Sequence, residues 1–231
     1  MFADIVFPND NEGEFIKLAE RLSIPSICFV YIFNRKDNQK ARAEKLAKLQ
    51  KETKLRLFLG LWVKKTETMQ ARKFADLILV KSTPENREVL EKREVDTLFG
   101  LEDNPKPDPM HYRYSSLNQV LCAIASQNRT IISFPFRMCL LADSERRMTL
   151  FGRISQNIRF CRKYKVPTAL ASFAQDPYEM RNPNDLASLG IVLGMTPGDS
   201  KNAIDSVFKR IEENQKIRDG RLIAEGIEFV D

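Results

Sequence analysis

The chain has 231 residues, 43% of them hydrophobic; this is enough to bury a full core, and the length suits one α/β barrel, so a single domain over 1–231 is expected. No run approaches the ~18 consecutive apolar residues of a membrane-spanning helix, and the opening Met-Phe-Ala-Asp-Ile-Val-Phe-Pro has an acid where a signal peptide is basic, which predicts a soluble cytoplasmic protein with no membrane partner. The net charge is +6 with a single histidine, His111, so chemistry needing several imidazoles is excluded, and a Ser-His or Cys-His pair would need a base held on a Pro-rich loop.

Residues 3–7 form a short apolar strand stopped by Pro8, and Asn9-Asp10-Asn11 can cap a helix over about 12–22. Residues 26–33 are a continuous apolar strand, and Asp37 or Asn38 caps a charged helix to about Lys51. Strands at 55–63 and 77–80 follow, separated by a helix over about 67–74. Pro84 then starts another helix, with Ser82 or Thr83 as its cap. Residues 95–99 are the fifth strand.

Three prolines between Glu102 and Pro109 enforce an irregular loop, and a helix resumes over about 116–126. Ile131 to Phe134 is the sixth strand. A helix over about 144–163 carries Leu150, Phe151, Ile154, Ile158 and Cys161 on one face; its arginines spread over the remaining arc, which favours a solvated outer face, with an RNA-binding stripe on this helix as the alternative. Residues 168–172 are the seventh strand, Asn182-Pro183 opens a helix to about Leu189, and 190–194 form a short apolar segment. Thr196-Pro197 starts a last helix to about Gln215, and the tail from about 220 either adds a final strand or is mobile.

The strands are continuously apolar, as in sheets covered on both faces, and strand and helix alternate about every 25 residues. Seven or eight such units favour a TIM-like (β/α) barrel, with an open doubly wound sheet as the alternative. Cys28, Cys122, Cys139 and Cys161 are far apart in apolar surroundings and read as reduced core residues.

Charge is unevenly placed. Between Arg129 and Lys165 there are nine Lys or Arg against Asp143 and Glu145, a balance of +7 that leaves the rest of the chain near neutral. In a barrel, functional groups collect where the strands end. Those positions hold Arg35, Lys36, Lys64, Lys65, Lys81, His111, Arg113, Arg137 and Arg181, with Lys106 in the Pro-rich loop. Such a ring suits phosphates. A polyanion is favoured over a small phosphorylated metabolite, because the nine glycines form no phosphate loop, although so many surface cations will also meet strand ends by chance. The aromatic residues read as core rather than as base-stacking platforms.

Phe134-Pro135-Phe136-Arg137, Arg153 to Val166, Ala171-Ser172-Phe173-Ala174, Arg181-Asn182-Pro183-Asn184-Asp185-Leu186 and Leu193-Gly194-Met195 together resemble the ribonuclease P component 3 family, the p30-type barrel subunit of archaea and eukaryotes. The strong resemblance covers about residues 130–204. It implies a TIM-like barrel related to PHP-type metal-dependent phosphoesterases that has lost their metal-binding histidines. It also implies a non-catalytic subunit working with a catalytic ribonuclease P RNA, a small α/β-sandwich protein and other ribonuclease P proteins. Together these remove 5′ leaders from precursor tRNA, with magnesium on the RNA and no cofactor on the protein.

Arg137 and Arg181 match arginines of the family's motifs and carry over as RNA-contact positions. Asn118-Gln119 stands where relatives have Asp-His, so that pair's role does not transfer. Two other readings remain: a metal-dependent phosphoesterase with carboxylates around Asp4, Asp10 and Glu12, and a scaffold touching only proteins.

Overall fold

The computed structural model describes residues 1–220, 222–224 and 227–228. In chain order its elements are β1 (Asp4–Val6), α1 (Glu12–Arg21), β2 (Ser26–Ile32), α2 (Gln39–Gln50), β3 (Arg56–Trp62), α3 (Thr68–Ala71), β4 (Leu77–Lys81) and α4 (Asn86–Leu90). There follow β5 (Thr97–Phe99), α5 (Gln119–Gln127), β6 (Ile131–Pro135), α6 (Phe136–Leu141), α7 (Ser144–Tyr164), β7 (Thr168–Ala171), α8 (Pro183–Val192) and α9 (Pro197–Arg218). All seven strands run parallel in the order β1 to β7, in a register that aligns Ile5 with Cys28 and Cys28 with Phe58.

The sheet curls until β7 meets β1. The seam is short: Phe7 N–H donates to the Ala174 carbonyl at 2.7 Å, and the buried Asp4 carboxylate accepts the Ser172 amide at 2.7 Å and its hydroxyl at 2.6 Å. A carboxylate thus supplies what the missing ladder would. The expected TIM-like barrel is therefore present, with seven strands and an almost closed wall.

Alternation along each strand divides the core. Ile5, Cys28, Val30, Phe58, Leu77, Leu79, Ile131, Ala169 and Ala171 fill the interior, while Val6, Phe29, Leu61, Ile78, Leu98, Ile132 and Leu170 lie under the helices. Gly60 is needed inside, since a Cβ there would sit 2.8 Å from both Cys28 Sγ and Val30 Cγ2. All four cysteines are buried and free, as expected.

The last helix departs from the simple barrel pattern. Helix α9 lies across the end where the strands begin. Asp205 binds the Met1 amino group at 3.0 Å, Glu212 binds Arg56 at 3.0 Å, Asn214 donates to the Asp76 carbonyl at 2.8 Å, and Arg218 reaches Asp76 at 2.6 Å. Val207, Phe208 and Ile211 join the interior cluster, with the Phe208 ring edge-on to Phe58 at 6.0 Å. This helix closes the floor.

Other expectations change in detail. The 190–194 segment is not separate, because α8 continues through Val192. Helices expected at 67–74 and from Pro84 shrink to Thr68–Ala71 and Asn86–Leu90, with Glu85 rather than Ser82 or Thr83 at the second N-cap. Helix α6 was not expected. In the tail, Leu222–Ala224 pairs antiparallel with Ile227–Glu228 apart from the barrel sheet; the rest of that expectation lies outside the described residues.

Candidate nucleic-acid interface

The carboxyl ends of the strands end in aromatic rings. Phe7 follows β1, Trp62 ends β3, Phe99 ends β5 and Phe173 follows β7, with centroids 5.2 Å apart for Phe99–Phe173, 5.7 Å for Trp62–Phe99 and 6.0 Å for Phe7–Trp62. These rings close the mouth below a pocket of about 190 Å³ that Lys81 and Arg137 also line. Phe7 and Trp62 are half-buried, so the aromatic surface is not fully consumed by packing. The reading of these rings as core describes only part of them. The signal was an aromatic at the last turn of four separate strands.

The predicted cations fall around this mouth and down one flank, and most are paired. Arg35 meets Glu67 at 3.5 Å, Lys65 binds Glu85 and Glu88, and Lys81 is 3.3 Å from Asp103. Arg137 donates through Nε to Glu179 at 2.7 Å, while its terminal nitrogens make no hydrogen bond among the described residues. Glu179 is itself fixed by the Gln175 amide at 2.8 Å, so Arg137 is held in place rather than neutralised on both edges. Arg181 donates to the Tyr178 and Met180 carbonyls and lies over the Phe136 ring at 5.2 Å. Lys36 and Lys64 are exposed without an ion pair among the described residues. The ring is therefore one of alternating sign, not the uniform positive ring expected.

His111 and Arg113 belong to a second place. With Arg159, Lys163 and Phe160 they line a groove of about 590 Å³ between the Pro-rich loop and α7. Arg113 lies across Gly152, where a Cβ would strike its guanidinium, and Gln156 grips the Arg113 backbone at both ends, at 3.2 and 3.0 Å. Arg159 and Lys163, one helical turn apart, were not singled out from the sequence; their shared i, i+4 face was the available signal.

One arginine of the basic stretch is not on the solvated face at all. Arg153 is 1% exposed and holds the loop from within, donating to the carbonyls of Glu102 (2.9 Å), Asn104 (2.6 Å) and Lys106 (2.6 Å) and to Asp108 Oδ1 (2.9 Å). Desolvation would raise the Asp108 pKa, but the Tyr114 amide and Arg153 outweigh it and hold the carboxyl below its usual range. A loop with three prolines makes little regular backbone pairing, so a buried guanidinium collects its carbonyls.

Of the carboxylates considered for a metal site, Asp10 and Glu12 meet only through the Lys45 ammonium, at 3.2 and 2.7 Å, and Asp4 stands apart from them. Asp4 is committed to the β7–β1 seam, where burial pushes its pKa up to about 7 against the Ser172 and Ile5 hydrogen bonds. Glu12 accepts Tyr31 and Lys45, each at 2.7 Å; Lys45 and Tyr31 outweigh desolvation and lower its pKa. With aromatic rings at the strand ends, the donor set there does not fit a metal ion. Among the described residues no three His, Cys, Asp or Glu are grouped to hold one. Asn118 caps α5 by accepting the Leu121 amide, and Gln119 accepts the Tyr164 hydroxyl at 3.4 Å.

Comparison with known proteins agrees with this architecture. A component 3 protein of ribonuclease P from Methanosarcina mazei is 30% identical over 162 residues, covering 69% of this chain but 64% of the relative, less than two thirds of its length. The Methanocaldococcus jannaschii component 3 is 24% identical over 211 residues, covering 87% of this chain and 88% of that protein. A chain in the cryo-EM structure of archaeal ribonuclease P with mature tRNA shares the fold at a TM-score of 0.79, covering 98% of each chain at 22% identity. The family model for the RNase P subunit p30 matches residues 1–219, and the chain belongs to that family.

Proposed function

We propose that this chain is a protein subunit of ribonuclease P that supports a catalytic RNA in removing the 5′ leader from precursor tRNA and does not itself cleave. The observation that carries the reading is the pairing of a p30-family barrel with cations in two places, the mouth and the α7 groove, while the strand ends carry aromatic rings and the acids near them are tied up in ion pairs. Lys81, Arg137, His111, Arg113, Arg159 and Lys163 would neutralise RNA phosphates, with Arg35, Lys36, Lys64, Lys65 and Arg181 on the periphery. Magnesium belongs to the RNA, and the protein partners are a small α/β-sandwich subunit and other ribonuclease P proteins. The complex acts in the cytoplasm.

The test is precursor-tRNA cleavage by reconstituted ribonuclease P RNA at limiting magnesium, with and without this chain and its small partner. Activation that requires RNA and both proteins is expected. Cleavage by the protein alone overturns the reading, and no effect in any combination favours the protein-only scaffold. For the groove, Arg159→Ala is expected to weaken RNA binding and flatten the log–log salt slope by about 0.7–0.9, the share of one phosphate contact; an unchanged slope removes Arg159 from the interface.

A further inference from the structure

Resting on that reading, we infer that the barrel mouth is a socket for a single unstacked nucleotide of the RNA: its base enters among Trp62, Phe99, Phe173 and Phe7, and its phosphate stays on the rim between Lys81 and Arg137. The size of the pocket points this way. About 190 Å³ is below the ~300 Å³ at which pockets begin to enclose whole small ligands, so it takes one flat portion of a ligand whose remainder stays outside. Lys81 and Arg137 line the same pocket as the rings, with Asp103 beside Lys81, so aromatic and cationic groups lie next to each other as a base and its phosphate do along a strand.

Arg137 is built for the phosphate. Its Nε is tied to Glu179 and its two terminal nitrogens make no hydrogen bond among the described residues, which leaves one edge of a pre-oriented fork for phosphate oxygens. Lys81 is shared with Asp103 at 3.3 Å, a long exposed pair that a phosphate can replace. Gln175 lines the same pocket, and its side-chain amide makes no hydrogen bond among the described residues, so it can meet the edge of a base.

Phe173 adds a further mark. Its backbone sits in the left-handed region at φ 53°, which a bulky residue adopts only when its surroundings impose it, and this places its ring against Phe99 at 5.2 Å. A duplex cannot insert a stacked base into such a socket, so the site selects single-stranded or bulged nucleotides over helical RNA.

Trp62 is the chain's one tryptophan and reports on the socket directly. The full-length chain is titrated with an end-labelled single-stranded hexaribonucleotide, with a six-base-pair RNA duplex, and with inorganic phosphate. Label anisotropy follows binding of the two RNAs, and Trp62 emission is read in all three titrations. Saturable quenching by the single strand, absent with duplex or phosphate, is expected. Trp62→Leu is expected to weaken single-strand binding by roughly ten- to hundred-fold while leaving duplex binding unchanged.

Should Trp62→Leu fail to fold, Arg137→Gln is the second variant: weaker single-strand affinity with the same quenching at saturation. Single-strand binding with unchanged Trp62 emission, quenching by phosphate alone, or no saturable binding of the hexamer overturns the socket. If the reconstituted cleavage assay still shows activation, the subunit reading stands without the socket. If that activation is absent as well, both fall.

Discussion

Replacing Arg153 by Met should release the Pro-rich loop from α7. The substitution keeps the length and apolar stem of the side chain but deletes four donor contacts, three to carbonyls and one to Asp108. Each charge-assisted hydrogen bond is worth about 1.5–3 kcal/mol. Water re-solvates the loop carbonyls once they open, so the sum is not lost in full, and removing one partner of a buried pair costs about 3–5 kcal/mol. We expect a loss near 4 kcal/mol in urea unfolding, or roughly 8–16 °C in Tm for a chain of this size. Amide exchange should rise first over residues 102–114, and RNA affinity in the α7 groove should fall with it, since His111 and Arg113 ride on that loop. A loss below about 1 kcal/mol with unchanged exchange in the loop would refute the anchoring role.

Two further perturbations probe the interior. Glu102 is fully buried beside Asn157, with Glu102 Oε2 and Asn157 Oδ1 both lacking a donor among the described residues, and burial pushes the Glu102 pKa up to about 7 despite the Asn157 hydrogen bond. Because the folded state holds the proton more tightly than the unfolded carboxyl does, that stabilisation is complete below pH ~4.5 and is lost as pH rises through about 7, a loss of about 3 kcal/mol. Urea unfolding at pH 5 and pH 8 should therefore show a smaller decline for Glu102→Gln than for the wild type, in which Asp4 titrates in the same window; equal declines would disprove it. Gly60→Ala should destabilise the barrel by about 1–3 kcal/mol through collision with Cys28 and Val30, measured as a lowered urea midpoint, and an unchanged midpoint would show that the interior has room.

Strand order, the near-continuous apolar runs and the long α7 were legible in the chain because they depend on local periodicity and short-range capping: Asp143 accepts the Arg146 amide at the start of α7, and Lys165 ends it in the left-handed conformation. The seven strand positions followed from the same patterning, as did the free cysteines. The family was legible in the ordered motifs around Phe134-Pro135-Phe136-Arg137 and Arg181-Asn182-Pro183.

Charge placement was not legible to the same depth, because whether a cation is free depends on which carboxylate the fold brings beside it. Lys81 and Asp103 are 22 residues apart, Arg137 and Glu179 are 42 apart, and Arg153 meets Asp108 across 45, so only closure of the barrel paired them. Burial likewise separates arginines that look alike in sequence: Arg153 points inward among loop carbonyls, while Arg159, six residues on, faces solvent. The aromatic mouth needed four distant strand ends to converge on one axis, and the floor needed α9 to cross beneath the strands. Both are long-range consequences of closing a twisted sheet on itself, which no local pattern encodes.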